Sequence, residues 1–257
     1  PIQLSNKSTV WNTSYSATQD GNNVYYGYKA ATGTHFDSYL QRINPDGTLP
    51  WGINGKDFDI TTTRNEMDTK IAYNSGSPYV WSICNYTNSA QSTYGVYIQK
   101  FDKVTGDRQF TDTAKVIYPF GTWKVNAGDL QIVNGFPVFL LKSGLDNGAS
   151  PTTLHACKLD ATGSFFWPYE TEPMGTFSAS KKRINFSKTN NGKVVATFIE
   201  TKATGGSKIY AQSVSLNTNN TGTAVVTACN SYTWINNVTY TASNNTATYL
   251  LTNISGG

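Results

Sequence analysis

Short runs of alternating apolar and polar residues follow one another along the chain, each closed by a turn. Tyr39, Gln41 and Ile43 alternate with Leu40 and Arg42, as a strand with two different faces requires. Asn44-Pro45-Asp46-Gly47 then reads as a turn: Pro presets φ, Asp bonds back to nearby backbone and Gly accepts positive φ. Upstream, Tyr15 to Gln19 and Val24 to Tyr28 flank Asp20-Gly21-Asn22-Asn23, a hairpin signal. Helical periodicity nowhere lasts beyond a turn. The pattern predicts strands throughout.

Both signals recur. The strand returns as Tyr97-Ile98-Gln99-Lys100-Phe101-Asp102 with Gly106 and Phe110, and as His155-Ala156-Cys157-Lys158-Leu159-Asp160 with Gly163 and Trp167. A weaker copy starts at Tyr210, and the starts are 58, 58 and 55 residues apart. The hairpin returns around Gly76, Gly135, Gly192 and Asn244-Asn245, in step with the first motif. An aromatic follows the turn glycine by four residues in three copies (Trp51, Phe110, Trp167), which suggests a ring tucked over its own turn. Four short strands, A to D, in about 57 residues make a blade, and the predicted fold is an all-β propeller. A sandwich would not keep one fixed period.

The phase sets the expected organisation within a single domain, 1–257. Residues 1–5 read as a closing D strand. Four ABCD repeats follow at about 11–61, 67–118, 128–170 and 183–228, and 237–257 supply the A and B strands of a last blade. Pairing of the two ends would close five blades and remove free sheet edges. The alternative is part of a larger ring of six to eight blades.

Composition narrows the partners. Charge is only 14% against 13% aromatic, which fits a turn-rich β-protein with a neutral surface and not disorder. A net charge of +4 is too diffuse for a nucleic-acid footprint, and its densest run, Lys181-Lys182-Arg183, stands alone. Cys84, Cys157 and Cys229 form no CxxC pair, so buried thiols are expected before a metal or redox site. No stretch has the length of a transmembrane helix, and no signal peptide is visible; Pro1 in place of Met reads as a mature or trimmed chain. The eight Asn-X-Ser/Thr sequons are what a chain this rich in Asn, Ser and Thr makes by chance.

Chemistry is sparse. His35 and His155 are the two histidines, without HxH or HExxH spacing, so no metal and no cofactor are expected. His155 takes the Tyr position of a repeat strand and reads as packing. His35 falls in the expected B-to-C loop of the first blade, where a ligand could meet it. There is no GxSxG. Acids on the expected rim are Glu66, Asp68, Asp129, Glu170 and Glu172, while Arg42, Arg64, Arg108 and Arg183 are too scattered for a sialidase's carboxylate clamp. The D-to-A loops are more suggestive: they carry Trp11, Trp123 and Trp234, with Phe177 in another and Arg64 and Met67 in the last. Rings stack on sugar C–H surfaces, but they also fill the space between blades.

The run Tyr39-Leu40-Gln41-Arg42-Ile43, with Asp46-Gly47, Trp51-Gly52 and Gly55, resembles the repeats of secreted propeller proteins of Bacteroidota, many of them cargo of type IX secretion. The turn is loosely similar to the Asp-box of sialidase-like propellers, without its Ser. The resemblance implies an extracellular or cell-surface location and binding or scaffolding work. The leading expectation is therefore a non-catalytic surface module that holds a partner protein or forms part of a cell-surface assembly. A lectin-like glycan binder using Trp11, His35, Arg64, Trp123, Phe177 and Trp234 is the alternative, and a glycoside hydrolase or sialidase-like enzyme the second alternative.

Overall fold

The computed structural model describes residues 1–9, 16–122, 124–144, 152–188, 193–216 and 225–247, which hold strands and turns and no helix. The chain divides into two compact units, Pro1–Asn217 and Thr218–Gly257, where the sequence reading has one domain.

In the first unit, β1 (Ser8–Thr9) and β2 (Ser16–Asp20) both pair with β3 (Asn23–Thr32), followed by β4 (His35–Ile43) and β5 (Lys56–Asp57). The second sheet is β6 (Asn65–Tyr73), β7 (Tyr79–Thr87), β8 (Tyr94–Asp102) and β9 (Lys115–Gly121). The third is β10 (Val125–Val133), β11 (Phe136–Ser143), β12 (Thr152–Lys158) and the first half of β13 (Thr171–Lys188). The second half of β13 pairs with β14 (Lys193–Lys202), which pairs with β15 (Gly206–Ser215). All pairings are antiparallel between neighbours, and the inner strands β2, β6, β10 and β13 lie side by side. This is the radial stacking of the expected β-propeller.

The apolar residues meet between blades. Tyr25, Leu40 and Phe58 of the first pack on Ile71, Val80 and Tyr86 of the second. Ile83, Val96 and Ile98 pack on Val125, Ile132 and Phe139 of the third. β7 is a middle strand covered on both faces, and all but its first residue are buried.

Each residue of the repeat motif has one job. Asp46, Asp102 and Asp160 cap their turns by accepting backbone N–H groups at 2.8–3.0 Å, and Gly47, Gly106 and Gly163 adopt φ of +84, +75 and +74°. Gln41 and Gln99 donate to Gly52 O and Thr111 O, at 2.7 and 2.9 Å. The basic residue reaches across to the next blade: Arg42 to Lys103 O (2.7 Å), Lys100 to Ala161 O (3.1 Å), Lys158 to Leu216 O (2.9 Å). The aromatic does the same. A Cβ on Gly106 would lie 2.9 Å from the Trp51 ring, and one on Gly163 would lie 3.0 Å from that of Phe110. The ring covers the following turn and not its own.

Three other expectations change. Pro1–Ser5 form no strand; Ile2 packs on Gly47, Leu4 O accepts from Gln41 Nε2 at 3.2 Å, and Ser5 Oγ lies 2.8 Å from Tyr28 OH. Ile2 thus takes on Gly47 the place that Trp51 takes on Gly106. The loop expected between β3 and β4 is a two-residue turn, Gly33-Thr34, so His35 opens a strand. The loop expected around Phe177 does not exist, because β13 runs unbroken from the third blade into the fourth. Gly175 within it is a close-packing glycine: a Cβ there would lie 2.8 Å from the Lys181 side chain and 3.0 Å from Phe198.

In the second unit, β16 (Tyr232–Thr233) and β17 (Thr239–Tyr240) form a small hairpin. Its turn is closed by Trp234 N–H to Val238 O at 3.0 Å and by Asn237 at φ +61°.

Candidate functional site

The inner strands β6, β10 and β13 each carry a register shift, between Glu66 and Asp68, Gly128 and Gln131, and Lys182 and Asn185. Asp129 and Arg183, inside two of them, sit at φ +48° and +49°. A bulge takes one residue out of the pleat and re-aims its neighbours. In β6, Met67 is that residue. Glu66 and Asp68, two apart, would share a face in a regular strand. Here Glu66 turns to the first blade, accepting Ser38 N–H at 2.7 Å, while Asp68 and Lys70 face a cleft toward the third.

That cleft has a volume of about 350 Å³. Asp68, Lys70 and Asn85 line one wall; Asn126, Asp129 and Lys142 line the other. Its floor is fixed by Asn85, which donates to Ala127 O and accepts from Ala127 N–H, both at 2.8 Å. Burial pushes the Asp129 carboxyl above its ordinary range, against the opposing pull of Lys70 and of the Phe186 N–H. Gln131 beside it donates to Phe186 O, tying β10 to β13. The cleft thus combines two carboxylates, two ammonium groups and the Asn126 amide, all half-buried, over the buried Asn85. It can hydrogen-bond a polyhydroxylated ligand and exchange protons with it.

A second acidic group, Asp37, Asp57, Asp59 and Glu66, lies between the first and second blades. Asp59 and Glu66 are each 1% exposed. Asp59 accepts from Tyr86 OH and from Thr61 N–H, the latter at 2.5 Å. Burial, then Asp37 and Asp59, push Asp57 up to about 7, and burial with Asp59 pushes Glu66 far up. Asp37, Asp59 and Glu66 are buried, and Asp57 is half-buried. Among the described residues, no cluster of His, Cys, Asp and Glu is arranged to hold a metal ion.

The described residues among those expected to bind ligand each have partners of their own. His35 Nε2 lies 3.0 Å from Asp37 Oδ1, at the edge of the second acidic group. Arg64 sits over the rings of Phe120 (4.7 Å) and Tyr97 (5.6 Å), and bonds the Tyr97 hydroxyl. Phe177 is 56% exposed on β13, with Lys202 Nζ 4.4 Å over its ring. Trp234 belongs to the second unit and is half-buried. Trp11 and Trp123 lie outside the described residues. Of the expected rim acids, Asp68 and Asp129 share the cleft; Glu170 and Glu172 lie at the start of β13, where Glu172 accepts from Tyr169 OH at 2.5 Å. Lys70, Asn85, Asn126 and Lys142 carry no motif in the sequence, and only the bulges reveal them.

No protein-family model matches the sequence, and no curated protein is similar to it. Solved structures do match. The endo-arabinase of Bacteroides thetaiotaomicron VPI-5482 is 13% identical over 83% of this chain and 78% of that one, with a TM-score of 0.50. The endosialidase of phage phi92 is 9% identical over 95% of this chain, with a TM-score of 0.52, and the chain spans 43% of its length. At these identities the likeness is one of fold, and the fold is the β-propeller. It carries neither the likeness to secreted Bacteroidota repeats nor the Asp-box. The expectation of a non-catalytic module holding a partner protein is corrected: the neighbours are glycan-cleaving enzymes. The conspicuous repeat residues that suggested a scaffold are occupied in joining blade to blade. No helix among the described residues is long and apolar enough to cross a membrane.

Proposed function

We propose that the chain is a glycoside hydrolase acting in the cleft between its second and third blades. The observation that carries this reading is the meeting of Asp68 and Asp129, from adjacent inner strands, in one cleft with amide and ammonium donors. Glycosidic cleavage needs two carboxyl groups flanking the bond, one of them protonated at working pH. Asp129, whose carboxyl burial pushes up, is the general acid that protonates the leaving oxygen. Asp68 serves the anomeric carbon, either as base to a water or as nucleophile; the anomer first released, read by NMR, separates the two. Asn126 binds sugar hydroxyls, and Asn85, held by Ala127, fixes the floor beneath them. On this reading the protein works outside the cell or at its surface, where glycan polymers are met.

The test is reducing-sugar release from a panel of neutral and acidic polysaccharides, with Asp129→Asn and Asp68→Asn beside the parent. Loss of a catalytic carboxyl should lower turnover by about a hundredfold or more while the melting temperature stays within a few degrees. Absence of any release across the panel, or full activity of Asp129→Asn, defeats the proposal.

A further inference from the structure

From Ile209 to Gly257 the sequence holds no Asp, Glu, Lys, Arg or His. Within this uncharged stretch, described residues of the second unit line an open pocket of about 450 Å³. Tyr232, Trp234 and Tyr240 line it, together with hydroxyl and amide side chains such as Asn230, Ser231 and Thr241. We infer that this pocket is a binding site for a neutral saccharide, separate from the cleft of the first unit.

Three features carry the inference. The first is size: the pocket falls in the range of those that hold small ligands, about 300–1,000 Å³. The second is the mixture of surfaces. A sugar presents C–H faces that pack on rings and hydroxyls that need donors and acceptors, and this lining offers both. The rings are held in place by the hairpin. Tyr232 stands opposite Tyr240 in the ladder, the Thr233 and Thr239 hydroxyls meet at 2.8 Å, and Asn236 Nδ2 donates to Tyr240 OH at 3.2 Å. Asn244 Oδ1 orders the far wall by accepting the N–H groups of Thr246 and Ala247 at 2.9 Å. The third feature is the missing charge. A carboxylate-bearing sugar would find no cation among the lining residues to offset the water it gives up, whereas a neutral sugar needs none. The chemistry therefore selects uncharged sugars over sialic or uronic acids.

The unit also contains its own reporter. Cys229 lines the pocket and is exposed, whereas Cys84 and Cys157 are fully buried, with thiols pushed up by burial. A thiol reagent should reach Cys229 first.

The experiment uses the full chain carrying Asp129→Asn, so that hydrolysis in the other cleft does not consume the probe. It is applied to an array of neutral oligosaccharides (arabino-, xylo-, gluco- and galacto-hexaoses) beside polygalacturonate and polysialic acid. Expected is retention on at least one neutral probe and on neither acidic one. Trp234→Ala should weaken retention about tenfold or more. Should that variant lose its fold, Thr241→Lys, which adds a charge at the lining, should weaken it similarly. The retained probe should also slow Cys229 labelling several-fold. No retention of any neutral probe, equal retention of acidic ones, parent-like retention by a folded Trp234→Ala and by Thr241→Lys, or labelling that ignores the probe would each overturn the inference. Retention that persists while the parent shows no hydrolysis supports this site and counts against the cleft alone.

Discussion

Replacing Asp57 by Asn should make the protein more stable at neutral and alkaline pH. Asp57 ends β5 among Asp37, Asp59 and Glu66, and its buried Oδ1 has no hydrogen-bond partner. The nearest cations, Lys7 and Arg108, only partly offset burial and the two aspartates, so the carboxyl is pushed from 3.8 up to about 7. A folded-state value above the unfolded one means that the folded protein holds the proton more tightly. Stability from this group is therefore complete below the unfolded value and is lost as pH rises through the folded one. The full shift corresponds to about 4 kcal/mol. Part of the side chain reaches solvent, and screening there lowers the expected loss to about 2 kcal/mol.

Urea unfolding of parent and Asp57→Asn at a series of pH values, from about 4 to about 8, measures this directly. The parent should lose about 2 kcal/mol across the series, and the variant should lose less than about half of that. The variant keeps some slope because Glu66, also raised, remains in the same group. The curves should converge at low pH, where the parent carboxyl is already neutral and the amide adds little, and part as pH rises. Parallel curves, or a variant less stable at every pH, would mean that Asp57 is ionised without penalty in the fold and that the acidic group is not strained.

Glu200→Gln should cost about 3–5 kcal/mol by urea unfolding, because Lys181 Nζ is wholly buried and Glu200, 3.1 Å away, is its counter-charge; a loss under about 1 kcal/mol would show that the backbone carbonyls of Thr152 and Phe177, at 2.7 and 2.5 Å, suffice. Gly106→Ala should destabilise more than Gly21→Ala: both have positive φ, but a Cβ at Gly106 meets Trp51 and Lys56, whereas nothing lies within 4 Å at Gly21. The expected costs are about 2–4 against about 1 kcal/mol, and equal melting temperatures would refute the packing of Trp51 on the next turn. Lys158→Met should lower stability by about 1–3 kcal/mol by leaving Leu216 O without its donor, with the loss read as a lower urea midpoint.

The period made the fold legible, because the motif residues that recur do the same work wherever they recur. Asp caps a turn, Gly accepts positive φ, Gln holds the backbone behind it, and Arg or Lys reaches forward. The period also misled. In a regular repeat, a ring at a fixed offset from its own glycine is also at a nearly fixed offset from the next one. Spacing therefore could not tell whether Trp51 covers Gly47 or Gly106, and packing chose Gly106. The boundary at Phe177 failed for a different reason: the repeat phase puts a loop there, but β13 runs on, and the missing Cβ of Gly175 makes room for Lys181 and Phe198.

The site was legible only as a set of acids. Glu66 and Asp68 look equivalent on the chain, and counting by twos assigns them one face. The bulge at Met67 has no sequence signature, yet it sends Glu66 among buried acids and Asp68 into an open cleft. What separates a structural carboxyl from a chemical one here is thus one residue out of register. The same logic locates Asp129, held at positive φ inside the next bulge. In the first unit, positions that keep the repeat are already committed to neighbouring blades, which leaves the breaks in the pleat to serve a substrate. In this chain the breaks on β6 and β10 bring Asp68 and Asp129 into the same space, and chemistry is to be sought there before it is sought among the conspicuous aromatics.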